Sequence, residues 1–179
     1  AELADAIAAA GTDTLNLALA ADLALDADET ITVGAGKNVV LNLNGYTITG
    51  TDTATGSFGL ITNKGNLTID DSIGGGKLSF ITTTPGGTSY ASNTISNNGV
   101  LTIKAGTIEN LSDGPACYAL DNYAGSTATI EGGKYYLTSD ITLTQAVQLI
   151  NTTICLNGHT VTAAANNRVF NTAQNVTIC

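Results

Sequence analysis

Apolar and polar residues alternate with a period of two along most of the chain, from about residue 15 to its last residues. Four early segments show this alternation clearly, at residues 15–25, 29–33, 38–43 and 46–49. A period of two is typical of β-strands with one buried face, and the Gly, Asn and Asp residues between the segments are typical of turns. Residues 2–10 differ, because Leu3 and Ile7 lie four apart and Gly11 follows, which predicts a short helix.

Two patterns recur along the chain and indicate the fold class. The first pairs LNGYTIT at 43–49 with LNGHTVT at 156–162, and DLAL at 22–25 with DITL at 140–143. The second occurs as NLTID at 66–70, VLTIK at 100–104, TATIE at 127–131 and NVTIC at 175–179. Repeats of a few tens of residues, built from short strands without intervening helices, indicate the stacked turns of one coiled sheet. We expect the isoleucines of the second pattern, Ile69, Ile103, Ile130 and Ile178, to share one column.

We therefore predict an all-β protein, a right-handed parallel β-solenoid of roughly six to seven turns with a short N-terminal helix. Residues 1–179 form a single domain in this interpretation, with a capping helix in 1–11, solenoid turns in 12–174 and a terminal strand in 175–179. Stacked turns share columns of Ile, Leu and Val, because no single turn buries its own apolar face. Asparagines at repeated bends are expected to form ladders, namely Asn44, Asn63, Asn98, Asn122, Asn157 and Asn171.

The composition fits a thin core and argues against several partners. Charged residues make up 12% of the chain and aromatic residues 5%, whereas Gly occurs 20 times. The net charge of −9, with six basic residues, argues against nucleic acid as a partner. No apolar run reaches the length of a membrane span, so we expect no membrane insertion. The chain begins without Met, which is consistent with a processed, exported protein or with a trimmed chain.

The three cysteines, Cys117, Cys155 and Cys179, lack the spacing of a zinc site, and the single His159 has no partner at ligand spacing. We therefore expect no metal and no cofactor. In an exported protein, an odd number of cysteines suggests an intermolecular bridge or a thiol outside any bridge. Cys155 and Cys179 are also separated by about one turn, so a bridge within one chain is the competing interpretation.

Few residues are candidates for catalysis. Asp70 and Asp71 are adjacent acids beside a glycine-rich loop, and paired carboxylates are what a polysaccharide-degrading hydrolase requires. Neighbours on a strand point to opposite faces, so these carboxylates are not expected to converge. We predict no catalytic residues and a protein that is not an enzyme. A set of tyrosines offers a possible carbohydrate-stacking surface, which makes a surface adhesin or carbohydrate-binding module the alternative; they are Tyr118, Tyr123, Tyr135 and Tyr136.

The opening ELADAIA, the strand pair GKNVVLNLNGYTIT and turns such as NNGVLTIKAGTIEN resemble secreted bacterial β-solenoid proteins, the pectin-lyase-like surface repeats of anaerobic Firmicutes. This similarity spans nearly the entire chain. Within that group, the chain resembles the self-assembling β-solenoid fibre subunits. The resemblance implies a secreted protein at the bacterial cell surface, with head-to-tail stacking, strand exchange and disulfide cross-linking between copies. Its motifs are structural and imply no particular activity.

The last strand supplies the candidate site for such assembly. It consists of Asn175, Val176, Thr177 and Ile178, and Cys179 follows directly. The ends of a solenoid expose unpaired strand edges, and contacts of one end with the other propagate into filaments. We expect this strand to add to the sheet of a second copy, with Cys179 bridging to Cys117 or Cys155 of that copy. The predicted function is a structural filament subunit whose partners are copies of itself, and the N-terminal helix would block stacking unless it moves aside.

Overall fold

The alternating segments form short strands that stack in parallel, each strand on the equivalent strand of the turn before it. The computed structural model describes residues 2–53, 56–83, 91–112, 117–132, 134–137, 140–143, 146–163 and 168–179. The strand pairings among these residues are parallel, so the fold is the predicted parallel β-solenoid. The prediction that residues 1–179 form one domain stays a prediction.

One helix, α1 (Glu2–Ala9), precedes the strands, as predicted. The strands of the described residues follow in chain order as β1 (Thr14–Ala18), β2 (Leu23–Ala24), β3 (Ile31–Val33), β4 (Asn38–Asn42), β5 (Thr47–Asp52), β6 (Phe58–Asn63), β7 (Asn66–Asp70), β8 (Lys77–Thr82), β9 (Ser92–Asn97), β10 (Val100–Ile103), β11 (Thr107–Asn110), β12 (Cys117–Asn122), β13 (Thr127–Glu131), β14 (Lys134–Tyr136), β15 (Ile141–Leu143), β16 (Val147–Ile150), β17 (Thr153–Cys155), β18 (Val161–Ala163), β19 (Phe170–Gln174) and β20 (Thr177–Ile178).

Three consecutive strands make one turn of the solenoid, which we call a rung. Rung 1 consists of β1 to β3, and the pattern continues to rung 7, to which the described residues contribute β19 and β20. Sheet A takes the first strand of every rung, in the order β1-β4-β7-β10-β13-β16-β19. The second strands form sheet B (β2, β5, β8, β11) in rungs 1 to 4 and sheet D (β14, β17, β20) afterwards. The third strands form sheet C (β3, β6, β9, β12) and sheet E (β15, β18).

Apolar side chains at equivalent positions form shared columns inside the solenoid, as predicted. One column of sheet A consists of Leu15, Val39, Leu67, Leu101, Ala128, Val147 and Phe170. The neighbouring column consists of Leu17, Leu41, Ile69, Ile103, Ile130 and Leu149. Ile69, Leu101 and Leu149 are fully buried. Each rung therefore depends on the rungs on both sides of it to cover its apolar residues.

The repeated LNG strings form the same tight turn in both copies. Asn44 and Asn157 both have a φ of 53°, and Gly45 and Gly158 both have a φ of 83°. Asn tolerates positive φ better than most residues, and Gly adopts it without a steric penalty, so this dipeptide suits two consecutive left-handed residues. The two turns direct the chain from β4 into β5 and from β17 into β18. The sequence repetition is therefore a repetition of structure.

An asparagine ladder runs through sheet C. The amide of Asn63 donates to Oδ1 of Asn97 at 2.7 Å, and the amide of Asn97 donates to Oδ1 of Asn122 at 2.7 Å. The prediction of ladders is right in kind, but the middle member is Asn97 and not Asn98. Asn97 is the last residue of β9 and is fully buried, whereas Asn98 lies one residue further and is exposed.

Candidate functional site

The last strand, β20, is hydrogen-bonded along one edge. The N–H of Thr177 donates to the carbonyl of Thr152 at 3.0 Å, and the N–H of Cys179 donates to the carbonyl of Ile154 at 2.9 Å. Because the N–H groups of successive residues in a strand point in opposite directions, the N–H of Ile178 points away from β17. Among the described residues, no strand pairs with the outer edges of β19 and β20. We call these two outer edges the terminal edge.

The terminal strand repeats the local geometry of β7, which carries NLTID. The N–H of Leu43 donates to the carbonyl of Asp70 at 2.7 Å, and the N–H of Leu156 donates to the carbonyl of Cys179, also at 2.7 Å. Leu43 and Leu156 begin the two LNG turns. NVTIC therefore occupies the same place in the second sequence block that NLTID occupies in the first, and Cys179 corresponds to Asp70.

These equivalent strands nevertheless lie on different sides of the solenoid, β7 in sheet A and β20 in sheet D. The prediction that Ile178 shares a column with Ile69 and Ile130 is therefore wrong. Ile130 is followed in its column by Leu149, and Ile178 pairs with Ile154. The physical reason is the number of strands between the copies. With three strands to a rung, the thirteen steps from β7 to β20 make four rungs and one further side.

The exposure of the two strands differs because their surroundings differ. In β7, which has β4 on one edge and β10 on the other, Leu67 is 3% exposed and Ile69 is 0% exposed. The strand β20 is shorter than the predicted strand 175–179 and begins at Thr177; Val176 precedes it and is partly buried against the core, whereas Ile178 is 48% exposed. The terminal edge therefore combines an unused row of backbone hydrogen-bonding groups with apolar surface that is buried at the equivalent place in the chain.

The disulfide forms within the chain. The sulfur atoms of Cys155 and Cys179 are bonded, and their Cα atoms lie 4.4 Å apart. Both residues come directly after the paired Ile154 and Ile178, so adjacent rungs bring them to the separation that a disulfide requires. This is the competing interpretation of the sequence, and it leaves Cys179 no thiol for a second copy while the bond is intact. Cys117 is buried on β12 in rung 4, outside any disulfide, whereas Cys155 and Cys179 belong to rungs 6 and 7.

The opposite end of the solenoid is partly covered by α1. The helix packs against β3, and Ile7 is fully buried in the core. The Lys37 ammonium donates to the carbonyl of Ala8 at 3.1 Å and to that of Ala10, both at the C-terminal end of the helix, where a cation is favourable. On the other two sides, β1 and β2 are the first strands of sheets A and B within the described residues.

The two acids considered for catalysis both bind backbone amides. Oδ1 of Asp71 accepts from the N–H of Gly45 at 2.7 Å, and its Oδ2 accepts from the N–H of Gly76 at 2.7 Å. Oδ1 of Asp70 accepts from the N–H of Asp71 at 2.8 Å. Asp71 is 7% exposed. Its carboxylate therefore connects the turns of two adjacent rungs by hydrogen bonds and stabilises their stacking.

The single histidine lies beside an acid at the second LNG turn. Nδ1 of His159 is 3.5 Å from Oδ1 of Asp140, which also accepts from the N–H of Thr160 at 2.7 Å. The hydrogen bond from Thr160, aided by the nearby imidazole, lowers the pKa of Asp140 below its ordinary value. Within the described ranges, no group of three or more His, Cys, Asp or Glu side chains is placed to hold a metal ion.

A polar cluster lies on sheet C, at the tyrosines that the sequence singled out. The amide of Asn93 donates to Oδ2 of Asp121 at 3.3 Å and to Oγ of Ser96 at 3.1 Å, and its buried Oδ1 accepts no hydrogen bond. Burial raises the pKa of Asp121, and burial together with this carboxylate raises the pKa values of Tyr118 and Tyr123. Sequence reasoning found the tyrosines but missed Asn93 and Asp121. The side chains of Tyr135 and Tyr136 lie outside the described part of the structure.

No protein-family model, no curated protein and no solved structure matches this chain. The fold assignment therefore rests on the parallel strand pairing alone. In the described part of the chain, no helix has the length and apolar character needed to span a bilayer.

Proposed function

We propose that this protein is a structural subunit of an extracellular filament at a bacterial surface, in which copies stack head to tail through the ends of their solenoids. The resemblance to secreted pectin-lyase-like surface repeats, and to fibre subunits among them, belongs to this proposal. One observation carries it: Ile178 is 48% exposed on a strand whose equivalent in the same chain is covered along both edges. The disulfide supports export, because such bonds persist mainly in oxidising compartments.

Backbone pairing and apolar burial would drive the association together. Covering the exposed half of one isoleucine contributes about 1 kcal/mol, so a stable joint must use more than one side of the rung. The terminal edge offers strand edges on two sides, β19 in sheet A and β20 in sheet D. A contact between this end and the opposite end of a second copy leaves each pair with one free end of each kind. Such heterologous contacts propagate into a filament when the geometry does not close.

The intrachain disulfide changes the expected order of events. While it is intact, Cys155 and Cys179 hold β20 against β17, and stacking proceeds without a covalent link. Cross-linking between copies would then follow by thiol–disulfide exchange once Cys117 becomes accessible: its thiolate attacks a sulfur of this bond in a second copy, and the other sulfur leaves as a thiolate. The count of disulfides is unchanged, so no oxidant is consumed. Terminal strand exchange becomes available once this bond opens.

The test is a variant that removes one donor from the terminal edge. Ile178→Pro deletes the N–H that points away from β17 but keeps the N–H groups of Thr177 and Cys179, which bind the preceding rung. We expect wild-type protein to form long particles in electron microscopy and a concentration-dependent series of species in analytical ultracentrifugation. Ile178→Pro should remain monomeric at concentrations at least tenfold higher.

Ile178→Val is the matched control, because it keeps the N–H and a β-branched side chain at the same position. It should assemble nearly as well as wild type. A wild-type chain that stays monomeric at high concentration in oxidising buffer would refute the proposal. Filaments of Ile178→Pro that match those of wild type would show that the joint lies elsewhere.

A carbohydrate-binding surface is the second candidate, favoured by the cluster on sheet C. Tyr118 and Tyr123 flank the partly buried Asp121, and aromatic rings beside a carboxylate and an amide are groups that bind sugars. This function predicts a monomer that is retarded on glycan columns. Tyr118→Ala should abolish the retardation but leave filament formation unchanged, so the two functions can be separated.

A further inference from the structure

This inference rests on the proposed function and specifies the register of the joint. We propose that copies stack with their three sides aligned, so that β1 of the second copy pairs with β19 and β2 of the second copy pairs with β20. The same continuation places α1 of the second copy beside β18, on the side where rung 7 has no strand among the described residues.

The apolar columns fix this register. One column of sheet A begins at Leu15 and ends at Phe170, so an in-register continuation sets Leu15 of the second copy on Phe170. On the next side, β2 and β20 have the same length, and both Leu23 and Ile178 pair with isoleucines of their own sheets. Aligned stacking sets Leu23 of the second copy on Ile178. A slip of one residue would set Asp22 there instead, because neighbouring residues point to opposite faces.

The third side supplies a match of position. α1 covers the start of the core on the side of sheet C, next to β3. Among the described residues, rung 7 contributes strands to the other two sides, and the last described strand of this third side is β18 in rung 6. In the aligned arrangement, the projecting helix meets this recess. A second copy turned by one side would drive α1 against β19 or β20.

The helix also sets the shape of the joint. A helix is about 10 Å across, whereas one rung is about 4.8 Å high, so the recess left by one missing strand is narrower than the helix. The joint must therefore be wider on the side of β18 than on the sides of β19 and β20. Each joint of such a filament introduces a bend, and successive bends are one subunit length apart.

The intrachain disulfide shows which positions on adjacent rungs are close enough to form a disulfide, and this provides a test of the register. Cys155 and Cys179 are in-register neighbours on adjacent rungs, with Cα atoms 4.4 Å apart. With Leu23 of the second copy on Ile178, Ala24 of the second copy lies on Cys179. A cysteine at position 24 would therefore stand to Cys179 as Cys155 does, but from the other copy.

The experiment joins two substitutions, Cys155→Ser to release Cys179 and Ala24→Cys to provide the partner. Filaments of this variant are treated with oxidised glutathione, which takes up the two electrons of each new disulfide, and are run on a non-reducing denaturing gel. The matched control is Cys155→Ser with Thr32→Cys, because Thr32 is an exposed residue of the same rung on the side of α1. Cys117 is retained in both chains and gives the same background.

We expect a ladder of dimers, trimers and longer species with Ala24→Cys, at least tenfold more abundant than in the control, and its loss on reduction. Ala24→Cys is also tested with Cys155 in place, where its thiolate reaches Cys179 by exchange and expels Cys155; this arm needs no weakened monomer. Filaments in which position 32 links as well as position 24, or neither links, would overturn the register and leave the proposed function standing. Failure of wild-type protein to assemble would overturn the proposed function itself.

Discussion

The strands NLTID and NVTIC of this chain share a sequence pattern and a set of turns, but they differ in what covers them. β7 is paired on both edges, and its Ile69 is fully buried; β20 is paired on one edge, and its Ile178 is 48% exposed. The burial of a residue in a solenoid is therefore set by the neighbouring rungs more than by its own strand. A further rung at the terminal edge would therefore bury Ile178 as the neighbouring rungs bury Ile69.

The largest expected effect on stability comes from truncating Ile69, and the truncation of Ile178 is its comparison. Ile69→Ala should lower the free energy of unfolding by about 2–5 kcal/mol, because it leaves a cavity in a filled column. Ile178→Ala should lower it by less than about 1 kcal/mol in the monomer, because its side chain is half solvated. Urea unfolding at concentrations where the protein is monomeric measures both. Equal losses would mean that β20 is not an edge strand in solution.

The disulfide sharpens the comparison, because Cys179 takes the place that Asp70 has in β7. β7 is held on two edges without a covalent bond, whereas β20 has one edge and a bond to β17. Loss of the bond should cost about 2–4 kcal/mol, as expected for a loop of this length. Cys179→Ser should lower the urea midpoint accordingly. Reductant should lower the midpoint of wild-type protein but not that of the variant, and an equal effect on both would contradict the assignment.

Asparagines give a third test with the same logic. Asn97→Ala removes the middle of a buried ladder, takes one buried hydrogen bond from each of Asn63 and Asn122, and should cost about 2 kcal/mol. Asn175→Gly removes an exposed bond to Asn151, 3.2 Å long, at a residue whose φ of 43° Gly adopts without strain, and should change stability by no more than about 0.5 kcal/mol. Thermal or urea unfolding of the two variants decides the matter. A loss of more than about 1 kcal/mol in Asn175→Gly would show that the exposed pair contributes more than its exposure indicates.

The smallest effect concerns pH. Burial raises the pKa of Asp121, so the folded state binds this proton more tightly than the unfolded state. The contribution of Asp121 to stability is therefore complete below its unfolded pKa of 3.8 and is lost as the pH rises through the raised folded value. Asp121→Asn should raise Tm by about 1–2 °C at pH 7 and make Tm less dependent on pH above 4. No change in the pH profile would show that Asp121 is not desolvated in solution.

Much of the fold could be predicted because local chemistry repeats with the structure. Alternation, the LNG turns and the opening helix each follow from short-range rules, and all three are found. The aspartates at the start of DLAL and DITL also make the same hydrogen bond. Oδ1 of Asp22 accepts from the N–H of Thr47 at 2.8 Å, and Oδ1 of Asp140 accepts from the N–H of Thr160. The side on which a repeat falls is a different matter. That side depends on the number of intervening strands. An error of one strand in the count assigns every later repeat to the wrong side of the solenoid.

The candidate site was only partly predictable for a related reason. The sequence located the terminal strand and the three cysteines, but pairing of Cys155 with Cys179 depends on their being in register on adjacent rungs. Spacing alone left that pairing open beside a bridge between copies. Asn93 and Asp121 were missed because their meeting joins adjacent rungs, and neither belongs to a repeated motif.

The division of the sheets has a mechanical consequence. Among the described residues, rungs 4 and 5 are connected by paired strands only in sheet A, through β10 and β13, whereas sheets B and C end at β11 and β12. In this part of the chain, sheet A is therefore the wall that carries continuous strand pairing across the level between rungs 4 and 5, and a bending load would be resisted there by its backbone hydrogen bonds.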